Sequence, residues 1–342
     1  MSPHRSGAEL QIGGESIPPG ARATIALPVP QLYTHTPLTM PVQVVRGRRD
    51  GPRLFVCAAV HGDELNGVEI IRRLLRRPAL ARLRGTLIAI PIVNVYGLLH
   101  QSRYLPDRRD LNRSFPGSER GSLTAKVADR FMTEIVTKCT HGIDLHTAAN
   151  HRDNLPQIRG NLDDPETLAL ARSFGVPVLL NAAIRDGSLR GAAAELGIPT
   201  LLYEAGEPLR FSEPAIRPGV RGIVNVMRAL GMLPPQRRHR RAAAEPFVAR
   251  SSAWVRAPES GMFRSAKPLG ARVERGEPIG KIADPFGDTE VVVSADHSGL
   301  VIGLTQLPIV HQGDALFHVA RFEDVGEVAQ QVEDFQAAHQ GD

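Results

Sequence analysis

The feature that most constrains the fold is a series of short apolar runs that alternate with amphipathic segments over residues 54–230. Residues 54–60 form a continuous apolar run of strand length, which is typical of a strand covered on both faces. Apolar side chains then recur at helical spacing over residues 65–77, and Pro78 favours an end to that helix. This alternation predicts an α/β fold with a mixed, mostly parallel sheet flanked by helices, in which sites gather at the carboxyl ends of strands.

Other segments extend the same pattern. A polar stretch at 94–117 is longer than most loops inside a domain, and such loops usually carry function. A second polar loop is predicted after His146. The remaining strands are expected at 22–28 and 40–45 on an edge, then at 86–93, up to His146, at 176–180 and at 198–203, with helices at 122–139, 165–174, 188–196 and 213–230.

The character of the chain changes after residue 235. A basic run at 237–241 follows two prolines and favours a linker. Beyond it, short β-like runs separated by Gly, Pro and Asp predict a small barrel-like or sandwich domain. The expected division is an α/β domain with N-terminal edge strands at 1–235, a basic linker at 236–248, a small β domain covering the site at 249–325, and a polar tail at 326–342.

Composition narrows the classes of protein that fit. The chain has 342 residues and a net charge of +5, which favours anionic ligands and can indicate nucleic-acid binding. Its arginines are scattered along the sequence, however, without the interleaved aromatics that would stack bases. We therefore expect neither a nucleic-acid nor a membrane partner, while a homo-oligomer remains compatible with the sequence.

Two further observations bear on location. No apolar run reaches the length of a membrane span, and the N-terminus lacks the hydrophobic segment of a secretory signal. The two cysteines, Cys57 and Cys139, sit in hydrophobic patterns outside any Cys-x-x-Cys pair, which favours buried reduced thiols over a disulfide. The expectation is a cytoplasmic protein.

A polar cluster follows the first buried run. If residues 62 and 63 form a tight turn, His61 and Glu64 can converge on one cation, and their donor types suit Zn²⁺. The best third ligand is His146, where polar residues emerge from another apolar run. Two His and one Glu leave the fourth position of a catalytic zinc open for water. The sequence thus predicts one Zn²⁺ per chain.

Two carboxylates lie near these ligands. Glu204 follows a third apolar run, where it could act as the general base, and Glu207 competes for that role. A structural alternative is that Glu204 caps the turn at Gly206. Asp144, two residues before His146, could orient a zinc ligand or simply accept backbone hydrogen bonds.

The long polar loop contains several arginines. An arginine beside a zinc site can stabilise a developing oxyanion, and an Asn-Arg pair can grip a carboxylate. Solvated surface arginines are the simpler interpretation, which we favour for Arg108, Arg109 or both.

Together these motifs resemble the succinylglutamate desuccinylase/aspartoacylase family of the zinc carboxypeptidase-like fold, over residues 52–230. The resemblance implies zinc on His61, Glu64 and His146, and Glu204 as the base. It also implies that Arg103 polarises the carbonyl and that Asn112 and Arg113 bind a carboxylate. The motifs are His61-Gly62-Asp63-Glu64, Ser102-Arg103-Tyr104 with Asp110-Leu111-Asn112-Arg113, Asp144-Leu145-His146, and Tyr203-Glu204-Ala205-Gly206.

The resemblance has limits. The loop between Arg103 and Asn112 is longer than in mammalian aspartoacylases, so substrate specificity does not transfer. The family's small C-terminal β domain corresponds to residues 245–322, but the residues there that close the pocket cannot be matched. That region also resembles a biotinyl/lipoyl-type barrel, yet no lysine occupies a Met-Lys-Met hairpin, so a swinging-arm carrier is not expected.

The resulting hypothesis is a zinc amidohydrolase that deacylates an N-acyl amino acid or a similar small carboxylate. A metallocarboxypeptidase could use the same residues, and pocket size would separate the two. A non-catalytic basic binding protein is a further alternative, although structural zinc usually has four protein ligands and only three can be named here.

Overall fold

The computed structural model describes residues 9–149, 151–235, 245–249 and 251–340. The basic run at 237–241 lies outside these residues. None of the helices within the described ranges has the length and apolarity needed to cross a membrane.

The chain alternates strands and helices as the sequence predicts, with additional strands in its C-terminal third. The strands are β1 (Leu10–Ile12), β2 (Glu15–Ile17), β3 (Arg22–Val29), β4 (Leu38–Arg46), β5 (Arg49–Ala58), β6 (Arg84–Ile90), β7 (His141–His146), β8 (Arg152–Gly160), β9 (Val178–Asn181), β10 (Thr200–Gly206), β11 (Phe247–Ala249), β12 (Ser251–Arg256), β13 (Gly261–Ser265), β14 (Arg272–Val273), β15 (Pro278–Ala283), β16 (Glu290–Ser294), β17 (Gly299–Thr305), β18 (Ile309–Val310) and β19 (Ala315–Arg321). The α-helices are α1 (Asn66–Leu75), α2 (Val95–Leu99), α3 (Leu123–Glu134), α4 (Pro165–Phe174), α5 (Leu189–Glu195), α6 (Glu213–Ala229) and α7 (Val325–Gln340), and short 3₁₀ helices cover Pro78–Arg82, Leu111–Arg113 and Val136–Lys138.

One large mixed sheet organises the molecule, in the order β12-β19-β17-β8-β10-β7-β5-β6-β4-β3. The neighbouring strands β10, β7, β5 and β6 are parallel. Antiparallel pairs flank them, through β4 and β3 on one side and β8 and β17 on the other. The mixed α/β fold is confirmed, but the predicted parallel character belongs mainly to the centre of the sheet.

The centre is buried on both faces because consecutive side chains of a strand point to opposite sides. In β5, Leu54 and Val56 pack with helices α1, α4 and α6, whereas Phe55 and Cys57 pack with α3, α5 and the N-terminal strands. This two-sided packing explains why residues 54–60 form an uninterrupted apolar run.

Strand β8 is absent from the sequence-based prediction, which placed a polar loop after His146. In the structure it pairs antiparallel with β10 and parallel with β9. Its sequence is polar because Asn154 lines a cavity beside the sheet, and Gln157 is buried within it. These polar side chains interrupt the apolar pattern that would have indicated a strand, so β8 was predicted as a loop.

The C-terminal strands divide between two sheets. Four of them (β12, β14, β17 and β19) join the large sheet, and β16-β15-β13-β18 form a second sheet. The two groups enclose a core that includes Val255, Phe263, Ile279 and Phe317. The barrel-like expectation is not confirmed, since neither sheet closes within the described residues. The physical reason is that β17 pairs with β8, so the C-terminal strands continue the large sheet.

Two further elements flank this region. Strand β11, which begins within the predicted linker and ends one residue beyond it, pairs parallel with β9. Helix α7 lies where a polar tail was expected. It buries Val328 and Val332 in an apolar cluster that also contains Leu155 and Val178 of the large sheet. Both elements attach the C-terminal third to the α/β sheet.

Candidate active site

The turn after β5 brings His61 and Glu64 together. The Glu64 amide donates to the His61 carbonyl at 3.2 Å, which closes the turn. Gly62 is required there, because a Cβ atom would lie 1.9 Å from the carbonyl carbon of Gly97. The side chains of His61 and Glu64 are 3% and 2% exposed, so the turn directs both of them into the protein interior.

Glu64 bridges the two histidines. Its Oε1 lies 2.7 Å from His61 Nδ1, and its Oε2 lies 2.7 Å from His146 Nδ1. The Thr147 amide also donates to Oε2 at 3.1 Å. Ligand atoms from these three buried side chains lie within 4.8 Å of one another, which makes them a group that could hold a metal ion. The structure thus brings together the three predicted metal ligands.

Each histidine contacts a second carboxylate through its other ring nitrogen. His146 Nε2 lies 2.8 Å from Asp144 Oδ2, and His61 Nε2 lies 3.0 Å from Asp110 Oδ1. Cys57 donates its thiol to Asp144 Oδ1 at 3.3 Å. Carboxylates in this position fix the ring orientation and tautomer of metal-binding histidines. The arrangement agrees with the orienting role considered for Asp144, while sequence reasoning gave Asp110 no role.

Electrostatics favour positive charge at the centre of this group. Burial alone would raise the pKa of Glu64, but the charges of His61 and His146 hold it well below its usual range. Burial likewise opposes charge on His61, yet Glu64 and Asp110 raise the pKa of its imidazole. The carboxylates therefore need a compensating positive charge, which either imidazole protons or a metal ion can supply.

The donor set fits Zn²⁺. It offers two imidazole nitrogens and a carboxylate oxygen, with a carboxylate behind each imidazole. Zinc accepts these ligand types, and three protein ligands are the usual number in a catalytic zinc site.

Glu204 is the register neighbour of His146 on the adjacent parallel strand. Both side chains line the same cavity. Its Oε2 accepts hydrogen bonds from Asn154 Nδ2 at 2.8 Å and pairs with Arg159 Nη2 at 3.0 Å. The Oε1 atom has no hydrogen bond to any side chain or backbone group that the structure describes. This carboxylate is thus held by one oxygen, and its other oxygen is available to a ligand.

The long loop contributes the remaining predicted residues. Arg103 lies beside the histidine pair, with Nη1 3.3 Å from Glu64 Oε1 and Nη2 2.9 Å from Asp110 Oδ2. Asn112 is largely buried, and its Oδ1 accepts from the Leu189 amide at 2.9 Å, which ties the loop to the start of α5. Arg113 is exposed but also lines the cavity.

One cavity of about 630 Å³ lies at the carboxyl ends of β7 and β10, and it is lined by the histidine pair, Glu64, Glu204 and the loop residues Arg103, Asn112 and Arg113. Its wall includes arginines that the sequence-based analysis did not single out. Arg159 Nε and Arg190 Nη1 are buried and lack a hydrogen-bond partner within the described part of the chain. These nitrogens are donors available to an anionic ligand. The additional wall arginines are Arg152, Arg159, Arg185 and Arg190.

The C-terminal strands supply another part of the wall. Trp254 stacks on His318 with ring centroids 4.6 Å apart, and the Arg152 guanidinium lies 5.0 Å from the Trp254 ring. Burial and the charges of nearby Arg159 and Arg152 lower the pKa of His318 to about 3, so its ring is neutral. No sequence motif marked these two residues, because their position depends on the strand order β12-β19-β17-β8.

Comparison with known proteins agrees with this geometry. A curated relative, the N-alpha-acetyl-L-2,4-diaminobutyric acid deacetylase of Halomonas elongata, is 26% identical over 82% of this chain and 85% of its own length. A succinylglutamate desuccinylase/aspartoacylase structure from Rhodobacter sphaeroides superimposes with a TM-score of 0.79 at 28% identity, covering 89% of this chain and 96% of that one.

A product-bound structure of the ectoine utilization protein EutE (DoeB) from Ruegeria pomeroyi has the same fold, with a TM-score of 0.80 at 23% identity, covering 88% and 95% of the two chains. The family model described as the succinylglutamate desuccinylase/aspartoacylase catalytic domain matches residues 50–230. That span is more than half of the chain and contains the histidine pair, the arginine loop and Glu204. The chain therefore belongs to the succinylglutamate desuccinylase/aspartoacylase family.

Proposed function

We propose that this protein is a zinc-dependent deacylase that hydrolyses the amide bond of an N-acyl amino acid or a similar small carboxylate. The observation that carries the proposal is the His61, Glu64 and His146 group, which opens onto the same cavity as the partly free carboxylate of Glu204. Metal ligands and a candidate base within one pocket are what metal-assisted hydrolysis requires.

The residues divide the chemistry among them. His61, Glu64 and His146 hold the ion, oriented by Asp110 and Asp144. A Zn²⁺ ion bound there would act as a Lewis acid and lower the pKa of a coordinated water to about 7. Glu204 takes the proton of the attacking water and returns it to the leaving nitrogen, using the oxygen that Asn154 and Arg159 leave free.

Arg103 is placed to stabilise negative charge on the amide oxygen. Its guanidinium lies beside Glu64 and is held at its far end by Asp110. A fixed donor of this kind needs no reorganisation as charge develops in the transition state.

We assign binding of the substrate carboxylate to the arginines that line the cavity. Arg113 lines the cavity from the long loop, and Asn112 anchors that loop through its contact with α5. Arg190, next to the Leu189 that Asn112 contacts, offers an additional buried donor. The deacetylase activity named for the Halomonas elongata relative supports an N-acyl amino acid as the class of substrate.

A metallocarboxypeptidase remains the second candidate, because the ligand set alone does not distinguish it. The C-terminal strands place Trp254 and His318 in the cavity wall. A wall on that side limits the space for a long peptide, which favours the deacylase.

The experiment is release of primary amine from a panel of N-acetyl and N-succinyl amino acids, with dipeptides alongside, by zinc-loaded enzyme. Glu204→Gln is the matched control, since it preserves shape and hydrogen bonding but removes the base. We expect turnover of one acyl amino acid, reduced about 10²- to 10⁴-fold in the control with zinc still bound.

Near-normal turnover by Glu204→Gln would refute the assignment of the base. Cleavage of the dipeptides in preference to every acyl amino acid would instead favour the carboxypeptidase.

A further inference from the structure

A second concave surface lies at the other end of the central strands. It is a groove of about 1190 Å³, lined by the amino-terminal ends of β3, β5 and β6, the end of α1 and the segment after α6. We call it the arginine groove. Its nine arginines are Arg22, Arg46, Arg48, Arg49, Arg76, Arg77, Arg82, Arg84 and Arg228.

The charge of the groove does not follow from the composition of the chain. The protein has 41 basic and 36 acidic residues, so an average patch would carry both signs in similar numbers. The groove lining contains nine arginines and no Asp or Glu among the residues that the structure describes. Pro235, at its rim, is followed in the sequence by four more arginines at 237–241. The clustering corrects the expectation of scattered arginines.

Among the described residues, most of these side chains have no partner. Five exposed arginines in the groove form no ion pair or side-chain hydrogen bond with the described residues: Arg48, Arg49, Arg76, Arg77 and Arg82. Arg228 bonds Asn225 at 3.4 Å through Nη1, while its Nε is buried without a partner. Like charges held together without counter-charges cost stability, and a bound polyanion would relieve that cost.

The remaining lining defines what the groove can recognise. Apart from arginine it contains only Gly, Ala, Val, Leu, Pro and Met. No aromatic ring is present to stack a base, and no amide or hydroxyl side chain to read one. Its concave shape also differs from the protruding helices and strands that enter the grooves of duplex DNA. Guanidinium groups bind phosphate oxygens in a bidentate manner.

We infer that the arginine groove binds a linear polyphosphate chain, recognised through its phosphates alone. The active-site cavity lies at the opposite, carboxyl ends of the strands, so an occupied groove leaves the deacylase site open. Binding is therefore independent of catalysis.

The test is fluorescence anisotropy of an end-labelled polyphosphate titrated with full-length, zinc-loaded protein. The groove variant is Arg76→Glu/Arg77→Glu/Arg82→Glu. The matched control, Arg264→Glu/Arg275→Glu/Arg321→Glu, reverses three exposed arginines outside the groove. We expect affinity to fall with salt, the groove variant to bind about 30-fold more weakly, and the control to lose no more than about threefold.

Further measurements locate the binding and identify its chemistry. Single- and double-stranded DNA with the same number of phosphates should bind at least about tenfold more weakly than polyphosphate. Saturating polyphosphate that has been pre-loaded with Zn²⁺, so that it cannot remove the metal, should leave the rate of amine release unchanged, whereas binding among the cavity arginines would inhibit it.

Equal losses in the two variants would overturn the inference, because they would show a response to net charge alone. Equal or tighter binding of DNA would replace polyphosphate by a nucleic acid as the ligand. Absence of deacylase activity would refute the proposed function without affecting this result.

Discussion

Charged side chains are arranged differently at the two ends of the central strands. At the carboxyl ends, Glu64 is shared by two histidines, and Asp110 and Asp144 hold the far side of each ring. At the amino ends, the arginine groove gathers one sign of charge, largely without partners among the described residues. The first arrangement fixes side-chain geometry, as the proposed mechanism requires, whereas the second leaves exposed charges that suit a flexible polyanion.

Substitutions should therefore have unequal effects at the two ends. A residue with several partners in a buried network transmits its loss to all of them, so effects there are large. An exposed charge without a partner affects stability little.

The largest effect is expected for Glu64→Ala. The substitution removes one metal ligand and the carboxylate shared by His61 and His146. Metal content should fall and amine release should drop by about 10³-fold or more. Elemental analysis and turnover measure both, with the exposed Glu195→Ala as control. Full metal content with normal turnover would remove the site from the proposed mechanism.

A smaller loss should follow Asp110→Asn. The carboxylate contacts His61 Nε2 and Arg103 Nη2, so its loss frees two side chains of the proposed mechanism at once. We expect zinc affinity or kcat/KM to decrease about 10- to 100-fold. Competition with a chelator measures the affinity, and Asp288→Asn in an exposed C-terminal hairpin is the comparison. An unchanged affinity together with unchanged kcat/KM would show that His61 and Arg103 hold their positions unaided.

The stability of the protein should depend on pH through His318, which lies in the cavity wall formed by the C-terminal strands. Burial, Arg159 and Arg152 lower the pKa of His318 to about 3, below the usual histidine value of about 6.5. Between these values the unfolded chain binds a proton that the native protein excludes, so stability falls as pH decreases below 6.5. At pH 5 this amounts to about 2 kcal/mol.

His318→Gln should lack that loss. Urea unfolding at pH 8 and pH 5, followed by fluorescence of Trp254, compares the two proteins, and Trp254 is the one tryptophan of the sequence. The pH difference should be smaller in the variant. Equal differences would mean that His318 titrates normally in the native protein.

The smallest effect is expected in the arginine groove. Arg77→Glu replaces an exposed, unpaired charge surrounded by like charges. Relief of repulsion should stabilise the protein by about 0.3 kcal/mol at low salt, and the gain should vanish at high salt. Thermal unfolding over a salt series measures it against Arg264→Glu. A destabilised variant would indicate that Arg77 has a structural role.

Sequence reasoning succeeded where local pattern and tertiary structure agree. The two-sided burial of β5 and the helical spacing in α1 identified the strand, turn and helix that carry His61 and Glu64. The helix predicted from residue 122 is α3, and Ser122 caps it by accepting from the Ala125 amide. These features depend on neighbours within a few residues.

It failed where the structure depends on distant pairing. Nothing local shows that β17 lies beside β8, which turned an expected barrel into an extension of the main sheet. Asp110 belonged to a motif, but its bond to His61 spans 49 residues. Trp254 and His318 enter the cavity wall through the same long-range pairing. Their roles became visible only with the sheet order.

The pairing of β8 with β17 also determines which parts of the chain can exist separately. A fragment ending at residue 235 would remove the β17 partners of Asp153 and Asn154 and would uncover Leu155 and Val178. A bare sheet edge beside an apolar patch promotes aggregation. The C-terminal third therefore cannot be replaced as an independent unit. A variant with a redesigned cavity wall on that side must retain β17, the strand that completes the sheet.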